Sequence, residues 1–167
     1  IDVISFVRHI MESFYAMADE QQIDFQLESE SSSLHVWADT DKLEKILFNL
    51  ISNAFKYSPQ GKQIKVVITD NDKQLFISVQ DQGIGISESK QKSLFVRFEN
   101  LVDKNLFNQP TSGIGLSLAK ELVEMHKGQI TINSKPGEGS NFTVILPKGK
   151  EHFDEDTEFI RTDYVSE

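Results

Sequence analysis

Apolar residues recur along the chain with two different periods, and these periods predict the order of helices and strands. Spacings of three and four residues predict helices over residues 3–18, about 40–57, 87–94 and 116–126. Alternation of apolar and polar residues predicts strands over residues 23–27, 64–68, 75–79, 130–132 and 142–146. Asp39, Thr40 or Asp41 can cap the second helix, which is expected to stop before Pro59.

The order of these elements predicts the fold class. The polar segment TDNDKQ separates the second and third strands and is typical of a hairpin. Helices and strands are mixed along the chain, which favours an α+β fold. We expect a two-layer sandwich in which about three helices cover one face of a mixed, mostly antiparallel sheet.

Length, charge and cysteine content narrow the possible functions. The chain has 167 residues, 38% of them hydrophobic, which is the profile of one globular domain. Its net charge of -9 disfavours an electrostatic grip on nucleic acid or on an anionic membrane surface. The absence of cysteine excludes disulfides and thiolate metal sites. No apolar run is long enough to cross a bilayer.

Two asparagines and a lysine share the polar flank of the helix that ends near Tyr57. Asn49, Asn53 and Lys56 follow one another at spacings of four and three residues. Amide oxygens and an ammonium group on one edge suit a Mg²⁺-bound polyphosphate, because magnesium takes oxygen ligands and is commonly bridged by phosphates. A solvated helix face with scattered polar residues explains the same pattern, and the spacing alone leaves both interpretations open.

A carboxylate stands at the end of the third predicted strand. Continuing the alternation of residues 75–79 places Asp81 on the inward face, where a carboxylate needs donors. Gly83 and Gly85 let the backbone turn tightly and approach a ligand. An acid beside a glycine turn is a plausible pocket for adenine, whose exocyclic amine donates. A surface turn is the alternative, and Tyr57 is equally suited to stack on a base or to border the core.

The segment TSGIGLSLAK places Gly113 and Gly115 where an irregular region becomes a helix. Free N–H groups and the helix dipole favour phosphate at such a position. Among the residues of LFVRFEN, Arg97 is the candidate phosphate partner, while Phe95 and Phe98 suit the core. Structural or solvated roles are favoured over catalysis for all four histidines, which are His9, His35, His126 and His152.

Four motifs in this order and spacing resemble the catalytic ATP-binding domain of sensor histidine kinases, with its Bergerat ATP-binding fold. They are NLISNAFKYSPQG, DQGIGIS, LFVRFEN and TSGIGLSLAKELVEMHKGQITINSKPGEGSNFTVILP. The resemblance covers roughly residues 23–147. The segments VWADTDKLEKILFNLISNAFKYSP and FVRHIMESF look especially like the hybrid kinases of Bacteroides-type bacteria.

The resemblance implies ATP and Mg²⁺ as cofactors and assigns roles to particular residues, although it assigns no catalytic residue with certainty. Asn49 and Asn53 would hold Mg²⁺, Lys56 would contact phosphate, and residues 99–112 would form a mobile lid. Asp81 would accept the adenine amine. The remaining implied ATP-binding residues are Tyr57, Gly83, Gly85, Arg97, Gly113, Gly115 and Leu116.

The resemblance also implies a phosphoryl transfer rather than hydrolysis. Asn49 stands where the wider family of chaperones, topoisomerases and mismatch-repair proteins has a glutamate that activates water, and an amide cannot accept that proton. Three departures from the usual pattern, at Asn100, Thr111 and Ser112, leave open a nucleotide-binding scaffold without transfer. An ATPase of the wider family is the third interpretation.

The implied partners lie outside this chain. His9 is followed by Ile10 and Met11 and not by the acid and proline that follow a phosphoaccepting histidine. We therefore expect residues 1–21 to be the end of a dimerisation and phosphoacceptor hairpin, 22–147 the ATP-binding domain, and 148–167 an acidic linker or weakly docked extension. The implied partners are the acceptor module and a downstream receiver domain, and no nucleic acid is expected to bind. The resemblance also implies that this domain belongs to the cytoplasmic part of a membrane-anchored bacterial kinase.

Overall fold

The computed structural model describes residues 1–95 and 115–162. Its helices are α1 (Val3–Glu12), α2 (Tyr15–Glu20), α3 (Thr40–Tyr57), α4 (Glu88–Gln91) and α5 (Gly115–Met125). Its strands are β1 (Asp24–Ser29), β2 (Gln63–Asp70), β3 (Gln74–Asp81), β4 (Gln129–Lys135) and β5 (Gly139–Pro147). No helix in these two segments combines the length and the hydrophobicity that a bilayer crossing requires.

The five strands form one sheet in the order β1-β2-β3-β5-β4, in which only β1 and β2 pair parallel. β2 and β3 form the predicted hairpin, with Ile68 opposite Ile77. The alternating residues of the central strands are fully buried on one face. Helices α1, α3 and α5 bury their apolar stripes in the same core. The predicted α+β sandwich with a mixed, mostly antiparallel sheet is confirmed.

Helix α3 runs through the centre of the helical layer and contacts β3 and α5. Asp39 is its N-cap, because the Asp39 carboxylate accepts a hydrogen bond from the backbone N–H of Lys42 at 3.2 Å. Its apolar stripe is buried from Leu43 to Phe55. Ser58 ends the helix immediately before Pro59, as predicted. Helix α3 is therefore fixed between β3 and α5.

The N-terminal helix predicted over residues 3–18 is divided into α1 and α2. Phe14 lies at the break and stacks on Phe55, with 5.6 Å between the ring centroids. Phe48 and Phe25 also contact the Phe14 ring. This aromatic cluster is a tertiary contact that outweighs the local helical preference. The boundaries between residues 1–21, 22–147 and 148–167 stay a prediction.

Residues 150–160 form a C-terminal strap that packs on Trp37. Phe159 meets the Trp37 ring edge-on at 5.2 Å, and the Lys150 ammonium lies 4.4 Å from the centre of the same ring. Phe153 joins Phe159 to His126, which is 2% exposed. Both ring nitrogens of His126 form hydrogen bonds. Nδ1 bonds to the carbonyl oxygen of Leu122, and Nε2 accepts from the backbone N–H of Asp39. His126 is therefore a structural residue at the N-terminal end of α3.

Replacing Phe159 with alanine is expected to loosen the strap over Trp37. Loss of the aromatic contact should lower the free energy of unfolding by about 1 kcal/mol. Trp37 is the only tryptophan, so its fluorescence emission should shift to longer wavelength and acrylamide should quench it more strongly. Ile160, which is 68% exposed, provides the control as Ile160→Ala. Unchanged Trp37 emission in Phe159→Ala would contradict the docked strap.

Candidate functional site

A pocket opens between the C-terminal half of α3 and the ends of β3 and β5. Its lining combines two polar side chains of α3, one carboxylate of β3, the glycine turn after β3, and two side chains of β5. These residues are Asn53, Tyr57, Asp81, Ile84, Gly85, Ile86, Ser140 and Phe142. The structure thus brings together four residues that the sequence predicted for one site, namely Asn53, Tyr57, Asp81 and Gly85.

Asp81 is the last residue of β3, and its backbone is paired with Ile64 on one side and Ser140 on the other. Its Oδ1 accepts hydrogen bonds from the N–H groups of Gly83 at 2.9 Å and Ser140 at 3.3 Å. Within the described residues, both of these bonds go to Oδ1, which leaves Oδ2 to accept from a ligand. Burial raises the pKa of Asp81, and the two backbone hydrogen bonds oppose part of that shift.

In the turn after β3, the backbone comes close to two other segments, the end of α3 and the end of β4. A Cβ at Gly83 would lie 2.5 Å from the carbonyl oxygen of Tyr57, so the turn can touch the end of α3 only with glycine there. Gly85 has a φ of +71°, and a Cβ there would lie 1.9 Å from the carbonyl oxygen of Lys135. Both predicted glycines are therefore required by the packing of the pocket wall.

The other polar residues of α3 extend the site away from the pocket. Asn49 lies one helical turn before Asn53, and its Oδ1 is 3.6 Å from the position a Cβ would take at Gly115. Gly115 is the first residue of α5. Within the part of the chain that the structure describes, neither asparagine side chain has a hydrogen-bond partner. Two amide groups without a partner among the described residues thus lie along α3, one lining the pocket and one beside the beginning of α5.

Lys56 completes this flank of α3. Its ammonium lies 5.9 Å from the centre of the Tyr57 ring, and partial burial lowers its pKa. An anionic ligand would compensate the Lys56 ammonium for the solvation that it loses by burial. This fits the predicted contact between Lys56 and phosphate. In residues 1–95 and 115–162, no group of three or more histidine, cysteine, aspartate or glutamate side chains is placed to hold a metal ion.

Several predicted residues lie outside the described residues or outside the described lining of the pocket. Arg97, Gly113 and residues 99–112 lie outside the described residues. Leu116 is buried in the core, 3% exposed, and its predicted contact with ATP stays a prediction. Conversely, the sequence analysis missed the lining residues Ser140 and Phe142. The alternation predicted over residues 142–146 includes Phe142 but not Ser140, and nothing local showed that β5 pairs with β3 beside Asp81.

Comparisons with known proteins agree with this geometry. Residues 38–150 match the model of the family described as histidine kinase-, DNA gyrase B-, and HSP90-like ATPase. Histidine kinase P4 from Formosa agariphila is 39% identical over 165 residues, which are 95% of this chain and 12% of that protein. Sensor histidine kinase WalK from Bacillus subtilis is 36% identical over 157 residues, which are 93% of this chain and 26% of WalK.

A solved structure shares the whole architecture. The catalytic domain of histidine kinase ThkA, in a nucleotide-free form, superposes with a TM-score of 0.80 at 25% identity. The match covers 92% of this chain and 97% of that domain. The chain therefore spans a small part of the two full-length relatives but nearly the whole of a solved catalytic domain.

Proposed function

Since this chain belongs to the family of histidine kinase-, DNA gyrase B- and HSP90-like ATPases, we propose that it presents Mg-ATP for transfer of the γ-phosphoryl group to a histidine. Its similarity to the catalytic domains of sensor histidine kinases supports this proposal. The acceptor histidine would belong to a dimerisation module of the same full-length protein. A receiver domain would then take the phosphoryl group. We place this machinery in the cytoplasmic part of a membrane-anchored bacterial kinase.

The observation that carries the proposal is the pocket that joins α3 to the end of β3. Asp81 Oδ2 accepts no hydrogen bond from the described residues, and Ile84, Ile86 and Phe142 supply apolar walls. A flat base with an exocyclic amine fits this combination, because the amine donates to Oδ2 while the ring contacts apolar side chains. Adenine is the base that our proposal assigns to this pocket.

From the pocket, the polar flank of α3 leads to the beginning of α5. Asn53 borders the base pocket, and Asn49 lies next to Gly115 at the start of that helix. A nucleotide whose base contacts Asp81 would therefore extend its phosphates along this flank. The N–H groups and the dipole of the first turn of α5 favour negative charge, and Lys56 would add a further positive charge.

The amide oxygens of Asn49 and Asn53 fit a hard divalent cation, since Mg²⁺ takes oxygen ligands and leaves positions for phosphate and water. When bound, Mg²⁺ would neutralise the charge of the phosphates. The Asn49 amide has no basic atom that could take a proton from water. It therefore holds the triphosphate without activating hydrolysis, so the γ-phosphoryl group is kept for a protein acceptor.

Replacing Asn53 with alanine is expected to reduce phosphoryl transfer at least 10-fold, because one polar group between base and phosphates is lost. The measurement is transfer of ³²P from labelled ATP, with Mg²⁺, to a purified dimerisation module of a sensor histidine kinase. Lys45→Ala is the control, since Lys45 lies exposed on the same helix. Equal transfer by wild type and Asn53→Ala would contradict the assigned role.

The same assay separates the three interpretations of the family resemblance. Transfer to the acceptor with little release of phosphate supports the kinase. ATP binding without transfer to any acceptor module would favour a nucleotide-binding scaffold. Rapid release of phosphate by the chain alone would favour an ATPase of the wider family and overturn the argument from Asn49.

A further inference from the structure

Two residues that do not line the pocket hold its wall in place. The wall consists of Ile84, Gly85 and Ile86, which line the same pocket as Asp81. The Ile86 N–H donates to Ser134 Oγ at 2.8 Å. The Gln91 side chain donates to the Ile86 carbonyl at 2.7 Å and to the Ser134 carbonyl at 2.9 Å. Both backbone groups of Ile86 are thus tied to β4.

Ser134 is also tied to β5. Its hydroxyl donates to the Gly139 carbonyl at 2.9 Å and lies 2.8 Å from the Ser140 hydroxyl, which is free to donate to it. The backbone N–H of Ser140 in turn donates to Asp81 Oδ1. The Ser134 hydroxyl therefore connects the pocket wall to Ser140, one of the two residues whose N–H groups hold the Asp81 carboxylate.

We propose that Ser134 and Gln91 are positioning residues of the base pocket: they set the separation between the Ile84–Ile86 wall and Asp81, and thereby the affinity and the selectivity for adenine. This inference rests on the proposed function. It deepens that function, because selectivity for a base depends on how closely the wall and the carboxylate fit the ring edge. Neither residue lines the pocket: Ser134 acts through Ile86 and Ser140, and Gln91 acts through Ile86.

A simple structural role is the competing explanation, since loss of any half-buried hydrogen bond lowers stability. A second serine on the same sheet separates the two explanations. The Ser78 hydroxyl lies 2.8 Å from the Thr143 hydroxyl and joins β3 to β5 on the outer face of the sheet. Ser78→Ala thus removes an interstrand hydrogen bond between hydroxyl groups, as Ser134→Ala does, but at a place where neither residue bonds to the pocket wall.

The experiment is a calorimetric titration of ADP and GDP against wild type, Ser134→Ala, Ser134→Thr, Gln91→Met and Ser78→Ala. Ser134→Ala and Gln91→Met are expected to bind ADP about 10-fold more weakly and to discriminate less between ADP and GDP. Ser134→Thr keeps the hydroxyl and should retain most of the selectivity. Ser78→Ala should keep both the affinity and the ratio of the two affinities, even where its thermal midpoint falls.

The outcomes distinguish this inference from the proposed function. Wild type that binds no adenine nucleotide would overturn both. A second outcome would overturn the positioning role alone: the wild type binds ADP selectively, and the Ser134→Ala and Gln91→Met variants bind with the same affinity and selectivity. Equal losses in Ser134→Ala and Ser78→Ala would assign the effect to general destabilisation and would also overturn it.

Discussion

Replacing Asp81 with asparagine is expected to lower the affinity for ATP about 100-fold, or about 2.7 kcal/mol, while the fold stays intact. Asparagine preserves the shape, and its Oδ1 can still accept from the N–H groups of Gly83 and Ser140. The atom at the position of Oδ2 becomes an NH₂ group, which donates. The exocyclic amine of adenine also donates, so two donors face each other in a partly buried pocket. Titration calorimetry with ADP and a non-hydrolysable ATP analogue measures the loss.

The same substitution is expected to leave the free energy of unfolding unchanged or to raise it. Burial raises the pKa of Asp81 in the folded state above the unfolded value, so the native state holds the proton more tightly. The ionised carboxylate therefore destabilises the fold fully above its folded pKa, and this penalty disappears as the pH falls towards the unfolded value. Asparagine carries no such charge. Urea denaturation at neutral pH compares wild type with Asp81→Asn.

Asp72→Asn is the matched control for both measurements, because Asp72 is exposed in the loop between β2 and β3. It should bind nucleotide as wild type does and unfold at the same urea concentration. If the affinity of Asp81→Asn for nucleotide stays within a few-fold of the wild-type affinity, Asp81 does not contact the base. A large fall in its unfolding free energy would instead show that Asp81 is chiefly a structural acceptor for Gly83 and Ser140.

The parts of this site that the sequence predicted are those fixed by local periodicity. Strand alternation predicted that Asp81 lies on the same inward face as Val79, because side chains two residues apart share a face. Helical spacing placed Asn49 and Asn53 on one flank of α3 in the same way. Gly83 and Gly85 were recognisable because few other residues allow such a turn. Each of these inferences needed only a few neighbouring residues.

The parts that the sequence did not predict depend on contacts between distant segments. Ser134 meets Ile86 across 48 residues, and Gln91 meets Ser134 across 43. Serine and glutamine are common in polar segments, so neither could be recognised before the fold placed Ser134 of β4 beside Ile86. The docked strap depends in the same way on Trp37, more than one hundred residues before Phe159.

Replacing Gly85 with alanine is expected to destabilise the fold by about 2–5 kcal/mol and to abolish measurable nucleotide binding. A non-glycine residue in left-handed backbone costs about 1–2 kcal/mol, and overpacking adds about 1–3 kcal/mol. Overpacking applies here because the new Cβ would lie 1.9 Å from the Lys135 carbonyl oxygen, which is backbone and cannot rotate away. Either β4 or the pocket wall must move. Urea denaturation and ADP titration measure the two effects.

Gly61→Ala separates the steric part of this effect from the backbone part. Gly61 has a similar φ of +80°, but a Cβ there would meet no atom within 4 Å. The control should therefore lose only about 1–2 kcal/mol and should bind ADP normally. Equal destabilisation of the two variants would mean that the end of β4 yields to the added methyl group at no cost. In that event the wall would not be rigid, and the close approach of Gly85 to Lys135 would not define the width of the pocket.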